Sequence, residues 1–350
     1  MRLNYSPILT TRNYGINDAK VDDSVFCQEI TPFENIIIEN ADSFLNKNAK
    51  KISFSKKIGG DFDSQLSQNN NAVLNFEIDK SQEIPICISF KFDENNKMLV
   101  EQIVFNIKEN VDAKLIVSLS GGVDAYHNGI VKINCEKNSK AEMLFITDFE
   151  KESVNVLRFE NSVDEASKLK VSLVDFANGH SIINYYSKLN GDECKSILNC
   201  VYVAGGKTFV DLNFEQDVFG KKSEASIQTV GALLAEARKH FKGTINFEKG
   251  CKKSSGSEDE LCLLLSKNAK SKALPMLLCT EEDVDGKHAS SVGKVSEKEL
   301  FYIMSRGFSR QDAIKLVVKA KFNIVLENLF DVKLKQKLID LVDRKLNYEE

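Results

Sequence analysis

The chain has 350 residues, 42% of them hydrophobic and 28% charged, with a formal net charge of −4. That length can bury one large core or two smaller ones, and an acidic balance without a basic face excludes a general nucleic-acid binder. No apolar run reaches the roughly 18–20 residues of a membrane helix, and the start Met1 to Pro7 lacks the apolar core of a secretion signal, so the expectation is a cytoplasmic chain that contacts no membrane and keeps its eight cysteines as thiols.

Residues 1–71 read as a mixed amino-terminal segment. Ile36-Ile37-Ile38 is a short strand-like run, Thr31-Pro32-Phe33-Glu34 carries the proline expected at a helix start, and Gln65 to Asn71 reads as an exposed loop. From 72 to 285 the pattern changes to short strands, each alternating apolar and polar residues, as in Val73 to Ile78, Ile86 to Phe92, Ile103 to Ile107, Leu169 to Leu173, Ile197 to Val203 and Phe209 to Phe214. Period-two alternation buries one face of each strand. No long helical pattern separates the strands, which argues against βαβ units. Their steady beat fits a solenoid such as a β-helix, while alternation by itself leaves a sandwich or a barrel open.

The segment 286–350 reads as a helical module. Ser296-Glu297-Lys298-Glu299 has the spacing of a capping box ahead of Leu300 to Met304, and Gly307 supplies a stop. Ser309 to Asp312 starts a second helix that carries Ile314, Val317 and Ile324 at helical spacing, and a third carries Leu334, Leu338, Leu341 and Leu346.

Few residues suggest chemistry by themselves. Gly205-Gly206-Lys207-Thr208 ends like a phosphate loop, but Val201 stands where the first glycine is required and a strand follows instead of a helix, so it reads as a turn and no nucleotide is expected on this chain. The cysteines form no C-x-x-C pair. Of the four histidines, His127 and His180 read as surface residues near glycines and His240 as structural.

Three segments in the carboxy-terminal third carry a resemblance: Leu263-Leu264-Leu265-Ser266 to Ala269 followed by Pro275, His288-Ala289-Ser290-Ser291-Val292-Gly293, and Leu300-Phe301-Tyr302-Ile303-Met304-Ser305-Arg306-Gly307. Together they resemble the closing signature of the SufB/SufD family of iron–sulfur cluster assembly scaffolds. Phe241-Lys242-Gly243-Thr244-Ile245 resembles that family's Phe-x-Gly-x-Ile strand, and Pro7 to Asn17 its amino-terminal segment, with Thr11 in place of a tryptophan.

The resemblance implies a right-handed parallel β-helix with helical ends, non-enzymatic, assembled with a SufC-type ABC ATPase and a SufB-type scaffold or a second copy of itself. It implies an ATPase-docking face around Leu300, Phe301, Tyr302, Arg306, Gly307, Ile314 and Val317, apolar at its centre. It also implies that an iron–sulfur cluster or iron is held transiently at the subunit interface. The positions linked to the cluster in SufB read Ala269 and Ala289 here, whereas the histidine of the SufD turn is matched by His288, so the chain resembles SufD more than SufB. The turn reads Gly286-Lys287-His288, without the cysteine usual in SufD. A neutral imidazole can ligate iron, so His288 is a metal candidate, with Cys262 and Cys279 as thiols on neighbouring strands. A homodimeric scaffold and a β-helix enzyme acting on polysaccharide are the alternatives.

Overall fold

The computed structural model describes residues 3–8, 14–21, 30–46, 51–56, 58–150, 152–176, 178–327 and 329–347. Cys27 and positions 9–13 of the amino-terminal resemblance lie outside them.

The amino-terminal segment carries β1 (Ile36–Glu39) and α1 (Asp61–Gln68). Sixteen strands follow in pairs, and each pair closes one coil. The first four coils are β2 (Ala72–Ile78) with β3 (Ile86–Phe92), β4 (Met98–Ile107) with β5 (Asp112–Gly121), β6 (Tyr126–Cys135) with β7 (Lys140–Phe149), and β8 (Ser153–Val163) with β9 (Lys168–Asp175). The next four are β10 (Gly179–Leu189) with β11 (Lys195–Ala204), β12 (Phe209–Val218) with β13 (Glu224–Leu233), β14 (Arg238–Phe247) with β15 (Ser254–Leu264), and β16 (Lys270–Cys279) with β17 (Val284–Gly293). Even-numbered strands stack into one parallel sheet and odd-numbered strands into the other, where only β1 joins antiparallel, through β3. Stacked partners such as His127 and Asn155 lie 28 residues apart, one full coil. The solenoid is flat, two facing sheets around one core, which is why the sequence pattern also suits a sandwich.

Inward positions supply that core, including Phe76, Phe105, Phe145, Phe159, Tyr185, Phe214 and Phe241. Phe76 and Phe105 stack at 5.0 Å, and Phe159 and Tyr185 follow at 5.7 Å. The turns that lead from the even to the odd strands repeat as well. Asn110, Asn138, Ala166, Glu193, Lys222 and Lys253 occupy one equivalent position per coil, all with φ between 53° and 61°. Asn is tolerated in that left-handed conformation, whereas Ala, Glu and Lys are strained there.

The outer faces are buried too. On the odd-strand sheet, Leu144, Val174, Phe176, Val201 and Val203 pack against α3 (Arg310–Leu326) and α4 (Val332–Leu346), chiefly Val318, Phe322, Leu338 and Val342. Burial on both faces explains the near-continuous apolar run Cys200 to Ala204. Lys345 ties α4 down, with its Nζ on Asp148 at 2.8 Å and on the Phe176 carbonyl at 3.0 Å. The carboxy-terminal helices α3 and α4 therefore cover a sheet face.

On the even-strand sheet, α1 lays Phe62 and Leu66 over Met98, Val100 and Ile130. Arg158, 1% exposed, reaches up to Asp63 at 3.0 Å. Lys242 Nζ donates to Asp211 and to the Asn4 carbonyl, both at 2.6 Å, pinning the first residues.

Four sequence expectations are corrected. Thr31 to Glu34 starts no helix; irregular chain leads into β1. Gln65 to Gln68 belong to α1 rather than a loop, with Gln65 buried because its Oε1 accepts from Tyr126 and Asn128. His127 is fully buried, not on the surface. The helical segment begins later than residue 286, since β17 continues to Gly293 and α2 (Glu297–Met304) follows. Gly205 to Thr208 is the turn between β11 and β12. No helix among the described residues is long and apolar enough to cross a membrane.

Candidate functional site

The last coil has no further coil stacked on it, so the inner sides of β16 and β17 form an open mouth. Inward positions follow from the register: Phe241 pairs with Ala273, Gly243 with Pro275 and Ile245 with Leu277 on one side, Glu258 with His288 and Cys262 with Val292 on the other. Gly286 lies against Leu277 across the mouth. Val292 is 41% exposed, and every residue of β16 between its ends is half-buried.

Each terminal strand also has a free main-chain edge. Lys270 N–H and Thr280 N–H point back to the β14 chain, so the alternate residues Ser271 to Cys279 aim their main-chain groups outward. Pro275 sits on that outward set and has no N–H, and the Ala273 N–H meets the Tyr14 hydroxyl at 3.4 Å. The β16 edge is thus partly blunted in the ways expected of edge strands. The β17 edge, with Gly286, His288, Ser290 and Val292 on its outward set, has no proline.

His288 does not lie in a turn, as the resemblance implied; it sits in β17, exposed, on the inner face above Glu258. Ala289 is exposed on the opposite face of the strand, and Ala269 is buried in the turn before β16. Beneath His288 the interior is polar. Glu258 is 1% exposed and neither carboxylate oxygen makes a hydrogen bond of good geometry. Burial first, and the charge of Glu260 next, push its carboxyl up to about 8, with the nearby Met276 main chain pulling weakly the other way. Gly243 makes the space, since a Cβ there would stand 2.0 Å from Glu258 Oε1. Beside it Glu260 takes Lys239 Nζ on one oxygen at 2.5 Å and the Ser290 hydroxyl on the other at 2.6 Å. Lys239 is wholly buried.

The two candidate thiols are not brought together. Cys262 is buried near Ser271, at the start of β16, whereas Cys279 ends that strand eight residues on (279 − 271). Eight residues of strand span about 26 Å. Burial raises the Cys262 thiol and pushes Cys251 up to about 11. A thiol held protonated is a poor metal ligand. Cys279 is exposed, its Sγ donating to the Glu281 carbonyl at 2.8 Å. Among the described residues no group of three or more His, Cys, Asp or Glu side chains could hold a metal ion.

The second site is on the helices. Ser296 caps α2, its hydroxyl accepting from the Glu299 N–H at 3.5 Å, as the capping box predicted. Leu300 is buried against Val295, Ala313 and Val317, and Ile314 packs beside them. The outer side of α2 is apolar and bare: Phe301 is 75% exposed and Tyr302 60%. Arg306 lies over the Tyr302 ring at 5.3 Å and donates to its hydroxyl at 3.1 Å. Gly307, with φ 94°, turns the chain into α3, and Arg310 holds Glu297 through two hydrogen bonds of 2.7 and 2.9 Å. Between α2 and α3 runs a groove of about 500 Å³ floored by Ile303, Val317, Ala320 and Ile324 and rimmed by Lys298, Glu299 and Lys321.

Sequence reasoning missed the interior polar residues. His127 Nδ1 donates to Asn155 Oδ1 at 2.7 Å, and its Nε2 lies 3.4 Å from Glu101, whose carboxyl burial raises. A Cβ on Gly129 would collide with both side chains, just as one on Gly231 would strike the Tyr202 ring. The inward glycines were the available signal: three of them, Gly129, Gly231 and Gly243, each make room for a buried polar side chain.

Residues 90–321 match the family described as SUF system FeS cluster assembly, SufBD core domain. The chain is 31% identical over 180 residues to the iron–sulfur cluster assembly protein SufD of Bacillus subtilis, a stretch that covers 51% of this chain and 41% of that protein. It is 26% identical over 254 residues to an iron–sulfur cluster assembly SufBD family protein of Archaeoglobus fulgidus, covering 71% and 66%. With the SufD of Escherichia coli it shares 31% identity over 111 residues, 32% of this chain and 26% of that one. The chain thus spans less than two thirds of the length of these relatives.

Proposed function

Since the chain belongs to the SufBD core family of the SUF system for FeS cluster assembly, we propose that it is a SufD-like scaffold subunit, paired through its open coil end with a SufB-type scaffold and worked by a SufC-type ABC ATPase docked on α2 and α3. The observation that carries this reading is the unfinished last coil, which exposes an inner face and a main-chain edge that a second solenoid can complete.

In this reading the nascent cluster, or the iron that builds it, is the cargo of the interface. His288 offers an exposed imidazole there, while Cys262 and Cys251 are buried and protonated. The thiolates an iron–sulfur cluster needs therefore come from the partner subunit. Ala269 and Ala289 have the same consequence, and they favour a SufB-type partner over a second copy of this chain. The chain acts by binding and positioning rather than by catalysis. A polysaccharide-cleaving β-helix would work from an exposed coil face, but here α3, α4 and the amino-terminal segment pack on the outer faces.

The α2–α3 groove suits ATPase docking, since Phe301 and Tyr302 are large exposed aromatics of the kind that anchor interfaces. Deleting the helices would strip the outer face of the odd-strand sheet, so the test uses point variants in the full chain. Phe301→Asp with Tyr302→Ala should abolish co-purification of the cognate SufC-type ATPase while the SufB-type scaffold still comes down. Retention of the ATPase would refute the docking site.

A further inference from the structure

In most strands a buried apolar face fixes the register, because a slip would move that face out of the core. β17 lacks this device. Its sequence, Val-Asp-Gly-Lys-His-Ala-Ser-Ser-Val-Gly, has no apolar alternation, and the β15 residues beneath its inner face are Gly256, Glu258, Glu260 and Cys262. Polar, glycine-containing edge strands are the ones whose register is weakly specified.

We propose that two side-chain contacts lock β17 in register: Gly286 against Leu277, and Ser290 on the buried Lys239–Glu260 pair. A Cβ at position 286 would lie 2.5 Å from Leu277 Cδ2 and 3.1 Å from Cδ1, so any larger residue there displaces the Leu277 side chain from its place. A slip of two residues keeps the same face inward but brings Val284 or His288 to that spot. The same slip lifts Ser290 off Glu260 and puts His288 or Val292 in its place. Glu260 Oε2 would then lose its 2.6 Å hydrogen bond in an interior where Glu260 is 3% exposed. Val292 offers no donor to replace it, and an unpaired buried polar atom is costly. Buried ion pairs contribute modestly to stability, and fixing a register is their best-attested role.

Ser290, Glu260, Lys239 and Gly286 are thus positioning residues: they set which residue stands above Glu258 and which amides line the free edge. That this placement serves His288 and a partner strand rests on the function proposed above; the lock itself does not.

Disulfide trapping reads the register within one chain, without a partner. In a Cys279→Ser background, Ser257→Cys with Lys287→Cys joins two outward residues that are register partners, at the Cα separation a disulfide accepts. Ser257→Cys with Ala289→Cys reports a two-residue slip. Under diamide, with the joined peptides mapped by mass spectrometry, the first pair should close at least tenfold faster than the second. Adding Gly286→Ala and Ser290→Val should erase that preference, and Ser290→Thr, which keeps the hydroxyl, should preserve it. A preference retained in the Gly286→Ala, Ser290→Val chain would overturn the lock, whatever the chain binds.

Discussion

The two ends of the solenoid are finished differently. At the first coil, β1 pairs antiparallel with β3, and Leu45 bridges to Phe76 on the opposite sheet. Phe33 packs edge-on to Phe92 at 5.1 Å, and Phe33 and Phe44 are 6% and 7% exposed. At the last coil, among the described residues, Tyr14 and Gly15 touch β16 only at Ala273 and Lys272, and no strand pairs with the β17 edge. A repeat array needs its ends covered, and the function proposed above assigns the unfinished end to a partner.

Truncation should show the contrast most strongly. Phe33→Ala should cost roughly 3–5 kcal/mol in denaturant unfolding, as expected for a buried ring in a packed core. Leu277→Ala at the open mouth should cost less than about 1.5 kcal/mol in the isolated chain and show its main effect on partner affinity. Equal losses at both ends would break the comparison.

The next effect is electrostatic and belongs to the open end. Glu258 has a folded-state pKa of about 8 against an ordinary 4.5. A carboxyl raised on folding contributes stability that is intact below about pH 4.5 and lost as pH climbs through 8, at about 1.4 kcal/mol per pH unit at most. Glu258→Gln should therefore unfold at the same denaturant midpoint as the parent near pH 4.5 and at a clearly higher one at pH 8. Parallel pH profiles for the two proteins would show that Glu258 is ionised and solvated in the fold.

The smallest effect compares equivalent turns near the two ends. Lys253 and Asn110 share the left-handed position, but Asn110 also accepts from Asn138 Nδ2 at 3.2 Å. Lys253→Gly should gain about 0.5–1 kcal/mol by relieving strain, while Asn110→Gly should gain nothing. Thermal unfolding resolves the difference.

The same contrast explains what the sequence made legible. Strands whose inner face is packed, such as Ile86 to Phe92, announce themselves by alternation. β17 does not, because its inner face is not packed under a further coil, and it emerged only through the family signature around His288. The outline of coils and helices was therefore readable, including the Ser296 cap of α2. The polar interior was not: Glu101, His127, Glu258 and Glu260 carry no periodic signal, and their burial depends on glycines and partners one coil away. α1 was hidden for a related reason, since Asp61 to Gln68 is mostly polar and is held by Arg158, Tyr126 and Asn128 from distant strands. Cys262 and Cys279 were read as thiols on neighbouring strands; they stand on successive strands that belong to different sheets, β15 and β16, and lie at opposite ends of the coil.

The central claim, that the last coil is a pairing surface, is tested most directly by hydrogen exchange at the main-chain amides of β17, His288 and Ser290 above all. It is measured on the dilute monomeric chain and again on the chain saturated with its SufB-type scaffold. The account predicts fast exchange in the monomer and strong protection in the complex, confined to the terminal coil. A complex that forms while these amides still exchange at the monomer rate would contradict it and move the interface elsewhere.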